Sequence, residues 1–421
     1  MKVSKFFFIF LFLLSVLIFS FKIGDYINEH KLVKIIGLFV IIIYLFFSIF
    51  SKNKLQKKLN ILIFYFVFCT YFLNSLLAFP YYFNTNEYKN KKEYKKLNID
   101  FDERSQLEYI SENVSEKIFP MVSPREIMKK NDIFLISNIS NSNYLQCNEY
   151  GYWKKIKTDK YGFNNINIKK NYDILISGDS YAHGFCVEKD KEAHNVLNSM
   201  GLNTYSIGIA GHGPLLTLAS TLEIQKKIKF NEIYWLFYRN DFYDLLWEEN
   251  NKKLIQYLNK NYDGKDYFDN IKQHDNSQLS FILENKNQKK SFSYRESFFE
   301  LKFLDSYIKK IFNTTSKRRI NEDLIKKIFF IFDYKFKDIK KKIIYLPDQS
   351  CFEKKKLICD REFNVLKKSL YGRNIELFDF RKFMNNKNYN KFYALGLKGK
   401  HFSNLGYEKI ALFIYNNSEF K

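Results

Sequence analysis

The sequence predicts an α/β fold: a three-layer domain on a five-stranded parallel sheet, preceded by three transmembrane helices. Three observations carry that expectation. From Tyr172 onward short apolar runs alternate with longer amphipathic stretches, glycine-bearing turns follow the first two runs, and three nearly unbroken apolar segments crowd the N-terminus. Strands that alternate with helices pair in parallel and carry helices on both faces.

The apolar segments come first in the chain. Ser4–Phe21, Val33–Phe50 and Leu59–Phe79 each approach the roughly 20 residues that a helix needs to cross a bilayer. The first has a basic start at Lys2 and Lys5 but no small-x-small cleavage site behind it, so it reads as a retained anchor. The loop Ser51–Lys58 holds four lysines. The positive-inside rule then places the N-terminus and this loop in the cytoplasm, and everything beyond about Pro80 outside. The expected organisation is a membrane anchor over 1–80, a linker and stem over 81–170, and the α/β domain over 171–421 with an insertion at about 248–295. The expected location is the bacterial cytoplasmic membrane, multi-pass, with the large domain facing the periplasm or exterior and the lipid bilayer as a partner.

The net charge is +23, from 59 lysines and nine arginines against 45 acidic residues. Nucleic-acid readers favour arginine for bidentate contacts, and no compact basic motif is present, so the charge reads as a solvated lysine-rich surface with no nucleic-acid partner. Four cysteines, Cys147, Cys186, Cys351 and Cys359, fall in the part placed outside, where disulfides persist. Cys351 and Cys359 can close a small loop, and Cys147 with Cys186 would then tie the stem to the chain just after residue 180. No CxxC or Cys/His ligand spacing points to zinc, so no metal or other cofactor is expected.

The predicted strands are Asp173–Ser177, Thr204–Ile207, Ile233–Phe237, Ile343–Leu346 and Ile375–Phe378. Helices are predicted at 190–200, 214–229, 298–313, 321–336, 360–370 and 403–417. In an open sheet of this kind active groups gather at the carboxyl ends of the strands. After the first strand comes Gly178-Asp179-Ser180, a turn that suits a serine held above a sheet, with Gly178 and Asp179 supporting it. After the second comes Gly208-Ile209-Ala210-Gly211-His212-Gly213-Pro214, whose glycines leave N–H groups free for an anion and whose proline suits the first helical position. After the third comes Arg239-Asn240-Asp241. Its Asn can offer an amide to an oxyanion or serve as a helix cap. Near the C-terminus His401 precedes a helix that Ser403 can cap. His183 and His212 flank the same region, as substrate contacts or as turn residues at a rim.

These four stretches, in this order, resemble the SGNH (GDSL-type) hydrolases over Tyr172 to the C-terminus. The resemblance implies a flavodoxin-like five-stranded sheet. It implies Ser180 as nucleophile and His401 as general base, with an oxyanion hole made by the Ser180 and Gly211 N–H groups and the Asn240 side chain. Two positions depart from the family pattern. Tyr238 stands where a glycine usually precedes the Asn, and Lys398 where an Asp usually orients the His. Three alternatives follow for His401: a dyad held by a backbone carbonyl, a carboxylate from Asp379 or Asp348 just past predicted strands, or an inactive site. The function expected is serine-dependent ester hydrolysis on an O-acylated envelope glycan or lipid. The alternatives are O-acyl transfer to surface polysaccharide or peptidoglycan, and a non-catalytic envelope binding protein.

Overall fold

The computed structural model describes residues 54–83, 86–131, 135–285, 301–304, 306–307, 320–353, 356–384, 388–397 and 400–421. The chain divides into two compact units, Met1–Asn90 with Lys290–Ser316, and Lys91–Lys289 with Lys317–Lys421.

The first unit corrects the expectation of three membrane-spanning helices. Among the described residues no helix is long and apolar enough to cross a membrane. The third predicted span does form a helix, Lys54–Phe83. Thr70, Asn74 and Ser75 stand among its apolar residues, and Lys54 and Lys58 lie near its start. Asn74 is buried and accepts the Leu304 backbone N–H at 2.9 Å. The other two segments, Ser4–Phe21 and Val33–Phe50, lie outside the described residues.

The second unit holds two sheets. The smaller comprises β1 (Ile118–Pro120), β2 (Asn143–Leu145) and β3 (Lys155–Lys157). β1 and β2 run parallel, and β2 and β3 form an antiparallel hairpin. The larger comprises β4 (Asn171–Gly178), β5 (Thr204–Ser206), β6 (Lys229–Tyr238), β7 (Lys340–Leu346) and β8 (Glu376–Asp379), all parallel in the order β5-β4-β6-β7-β8.

The large sheet is buried on both faces, as a parallel sheet requires. Alternate residues of each strand point to opposite sides, and the core divides accordingly. On one side Leu175, Ile233, Trp235, Phe237 and Ile343 pack with Leu218, Phe329 and Leu366 from the helices Pro214–Ile224, Glu322–Lys335 and Lys356–Ser369. On the other, Ile174, Ile176, Tyr234, Leu236 and Ile344 pack with Leu197 and Ile410 from Ala193–Ser199 and Asn404–Asn417. The result is three layers. The register pairs Gly178 with Leu236 and Tyr238 with Leu346, so the carboxyl ends of β4, β6 and β7 sit side by side.

The helix predicted at 298–313 and the end of the predicted insertion lie mostly outside the described residues. The described part of that insertion includes the helix Ile271–Asn285. Its Asp275 accepts the Ser140 N–H at 3.0 Å and hydroxyl at 2.6 Å, and Ile282 packs with Tyr144 and Ile156 of the small sheet.

Candidate active site

At the end of β4 the chain turns sharply. Gly178 has φ +142°, and a Cβ there would lie 2.5 Å from the Leu236 carbonyl oxygen of the neighbouring strand, so only glycine fits. Asp179 follows as the cap of the short helix Ser180–His183, its carboxylate accepting the Tyr181 N–H at 2.9 Å. Asp179 is fully buried, and burial pushes its carboxyl up to about 6 against the opposing pull of the Tyr181 N–H, His401 and Asn240. It holds the turn and lies 3.4 Å from the Ser180 hydroxyl.

Ser180 and His401, 221 positions apart in sequence, meet there: Nε2 of His401 stands 3.0 Å from Oγ of Ser180. The other ring nitrogen, Nδ1, lies 2.9 Å from Oε1 of Glu149, and the His401 backbone N–H donates to Oε2 of the same carboxylate at 2.9 Å. One carboxylate therefore fixes both the ring and the backbone of His401, and a carboxylate on Nδ1 selects the tautomer that leaves Nε2 free to accept a proton. Their side chains are 22% and 15% exposed, shielded yet reachable.

The electrostatics are reciprocal. Burial disfavours the imidazolium, but the charge and hydrogen bond of Glu149, with Asp179 behind, more than offset it and raise His401 above the ordinary imidazole range. Burial likewise works against the Glu149 carboxylate. The His401 charge, its two hydrogen bonds and nearby Lys400 reverse that and hold the carboxyl below its ordinary value.

Glu149 was not among the residues singled out from sequence. It sits in the turn of the β2–β3 hairpin, whose stem continues through Gln146 N–H to Lys154 O and Lys154 N–H to Cys147 O, both 2.7 Å. The buried Tyr94 hydroxyl donates to the Glu149 carbonyl at 2.7 Å. Cys147 forms a disulfide with Cys186, and Cys351 with Cys359. A usable signal was present: a carboxylate two positions from a cysteine whose partner lies six positions after Ser180.

The two carboxylates proposed from sequence go elsewhere. Asp379 takes the Arg381 guanidinium at 2.8 and 2.7 Å, and Asp348 takes Arg239 at 2.7 Å and caps a short turn through the Cys351 N–H. Each follows its strand, but β8 and β7 end facing arginines rather than the imidazole. Lys398 lies outside the described residues.

Of the proposed oxyanion donors, the Ser180 and Gly211 N–H groups have no acceptor among the described residues. Gly211 has φ +85°, a left-handed conformation that favours glycine. Asn240 begins the helix Asp241–Glu248 without capping it through its side chain. Its Nδ2 donates instead to Asp244 at 2.8 Å. Arg239, bridging Asp348 and Glu362 at 2.7 Å each, pins the start of this segment. Tyr238 packs on Tyr181, the two rings tilted at 30° with centroids 4.0 Å apart. Tyr181 and Phe185 in turn flank the His401 ring at 5.2 and 4.7 Å.

His183 and His212 are fully buried rather than at a rim, and burial pushes both down to about 3, so they are neutral core residues. Among the described residues two clusters each bring three metal-ligating side chains together: Glu149, Cys186 and His401, and Asp348, Cys351 and Cys359. In both the sulfurs are tied up in the disulfides, which leaves fewer than three donors in each.

No family model matches this chain, and no curated protein matches it. Among solved structures it is similar to a Clostridium thermocellum family 3 carbohydrate esterase, at 14% identity over 59% of this chain and 94% of that chain. The TM-score is 0.29, too low to carry weight for fold or chemistry.

Proposed function

We propose that this chain is a serine-dependent acyl-transfer enzyme that hydrolyses an ester, with Ser180 as nucleophile, His401 as general base and Glu149 as the orienting carboxylate. The observation that carries the reading is the unbroken chain of contacts from Oγ of Ser180 through both nitrogens of His401 to Glu149, at 3.0 and 2.9 Å. A carboxylate on Nδ1 is what a dyad or an inactive binding protein would not require, so this contact favours a catalytic triad over both.

In the proposed reaction Ser180 Oγ–H passes its proton to Nε2 as the oxygen attacks the ester carbonyl. The imidazolium forms beside Glu149, which offsets its charge. The tetrahedral oxyanion accepts from the Ser180 and Gly211 N–H groups and from Asn240. His401 then protonates the departing alkoxide, and a water activated by the same nitrogen releases the acyl group. Tyr181 and Tyr238 pack ring against ring, and Tyr181 and Phe185 flank His401; bulky rings about the proposed base favour a short acyl group such as acetyl on a hydroxylated carrier. The two disulfides suit a compartment outside the cytosol, where an O-acylated envelope glycan is the substrate class we propose.

The test is turnover of 4-nitrophenyl acetate, butyrate and octanoate, together with labelling by a fluorophosphonate. Activity falling with chain length, and labelling lost in Ser180→Ala, are expected. A folded protein that neither labels nor turns over any of the three esters ends the proposal.

A further inference from the structure

Glu149 reaches His401 from outside the large sheet. Neither the β4–β8 strands nor their helices carry it; it stands in the hairpin turn between β2 and β3, and what fixes that turn fixes the carboxylate. The hairpin's own bonds, between Gln146 and Lys154 and between Lys154 and Cys147, keep its shape. They do not set where it lies relative to Ser180. Two contacts do that beside the site. The buried Cys186 N–H donates to the Gln146 side-chain oxygen at 2.9 Å, and the Cys147–Cys186 disulfide joins positions 39 apart. Cys147 lies two residues before Glu149, and Cys186 six after Ser180, next to Phe185, whose ring flanks His401 at 4.7 Å. The bond thus spans from the carboxylate's loop to the nucleophile's. The second disulfide differs: Cys351–Cys359 closes a separation of eight beside Asp348 and touches no member of the proposed triad.

We propose that the Cys147–Cys186 disulfide is a positioning element of the site, holding the Glu149 carboxylate on His401. Without it the hairpin keeps its fold but loses its fixed place over the imidazole. The inference rests on the acyl-transfer reading for its kinetics, and on geometry alone for the state of His401.

The experiment compares Cys147→Ser/Cys186→Ser with Glu149→Gln and with Cys351→Ser/Cys359→Ser, all in the full chain. His401 titration is followed by NMR in a Ser180→Ala background, which needs no turnover. In the Cys147/Cys186 variant the His401 midpoint is expected to fall toward that of Glu149→Gln, kcat for 4-nitrophenyl acetate to drop about tenfold or more with KM little changed, and Glu149→Gln added on top to cost under threefold further. The Cys351/Cys359 variant is expected to keep the wild-type midpoint. An unchanged midpoint in the folded Cys147/Cys186 variant, or an undiminished cost of Glu149→Gln within it, overturns the proposal. A protein that shifts its midpoint as expected yet hydrolyses no ester in wild-type form sinks the functional reading alone.

If the double serine variant does not fold, the folded Cys351→Ser/Cys359→Ser protein is reduced with dithiothreitol. Two electrons and two protons pass to the remaining S–S bond, giving two thiols and the cyclic disulfide of the reagent. Alkylation and mass measurement count the thiols, and the same downward shift of His401 is expected. No shift at full reduction overturns the proposal equally.

Discussion

The two sheets of the second unit make opposite contributions to one site. The five-stranded sheet presents Ser180, Gly211, Asn240 and His401 at strand ends or helix starts, where pairing and a two-sided core fix their backbones. The three-stranded sheet contributes a single side chain, Glu149, from a turn fixed by a tyrosine hydroxyl, a disulfide and short ladders. Precision in the first comes from packing, and in the second from point attachments. A site assembled in this way is sturdy in its proposed nucleophile and adjustable in the basicity of its proposed base.

The largest effect is expected on the sturdy side. Ser180→Ala removes the proposed nucleophile, and steady-state hydrolysis of 4-nitrophenyl acetate should fall about a thousandfold or more with the circular dichroism spectrum unchanged. Asn240→Ala takes away one proposed oxyanion donor, and a loss in kcat of about a hundredfold is expected. Comparable kcat in Asn240→Ala and wild type would remove that residue from the mechanism.

On the adjustable side, Glu149→Gln should lower kcat by roughly tenfold to a hundredfold and also change the pH profile. His401 must be neutral to act as base, and it stands above its ordinary range because of Glu149. The wild-type rate should therefore rise with pH through a midpoint above that of free imidazole. In Glu149→Gln, with burial no longer opposed by that carboxylate, the midpoint should move to lower pH. Asp379→Asn and Asp348→Asn, whose carboxylates serve Arg381 and Arg239, should leave the midpoint where it is; if either moves it as Glu149→Gln does, the contrast between the sheets collapses.

The smallest effect is expected at Tyr94→Phe, which deletes the hydroxyl holding the Glu149 carbonyl. Thermal unfolding should show a loss of about 1–2 kcal/mol, with kcat down only a few-fold.

The same contrast governs what could be read in advance. β4, β6 and β7 each carry an apolar run followed by turn residues, so a five-stranded α/β sheet and the residues at its strand ends stood out in the letters alone. β2 and β3 are three residues each, too short for any period to emerge. Glu149 and His401 lie 252 positions apart, so no local pattern links them. Only the spacing of Cys147 and Cys186 around Glu149 and Ser180 held a hint, because a covalent bond turns sequence distance into proximity. Of the apolar N-terminal segments, the third misled for the opposite reason: hydropathy sums over letters and takes no account of a buried polar side chain such as Asn74, which accepts the Leu304 N–H from within the helix Lys54–Phe83.

The disulfide between the hairpin and the nucleophile's loop also changes how the protein comes apart when cut. The segment joining the two sheets is open to solvent at Ile166, Asn167, Lys169 and Lys170. A single tryptic nick after Lys169 or Lys170 divides the polypeptide, yet leaves its halves tied through sulfur. On a denaturing gel such material should run as one band without thiol and as two with it.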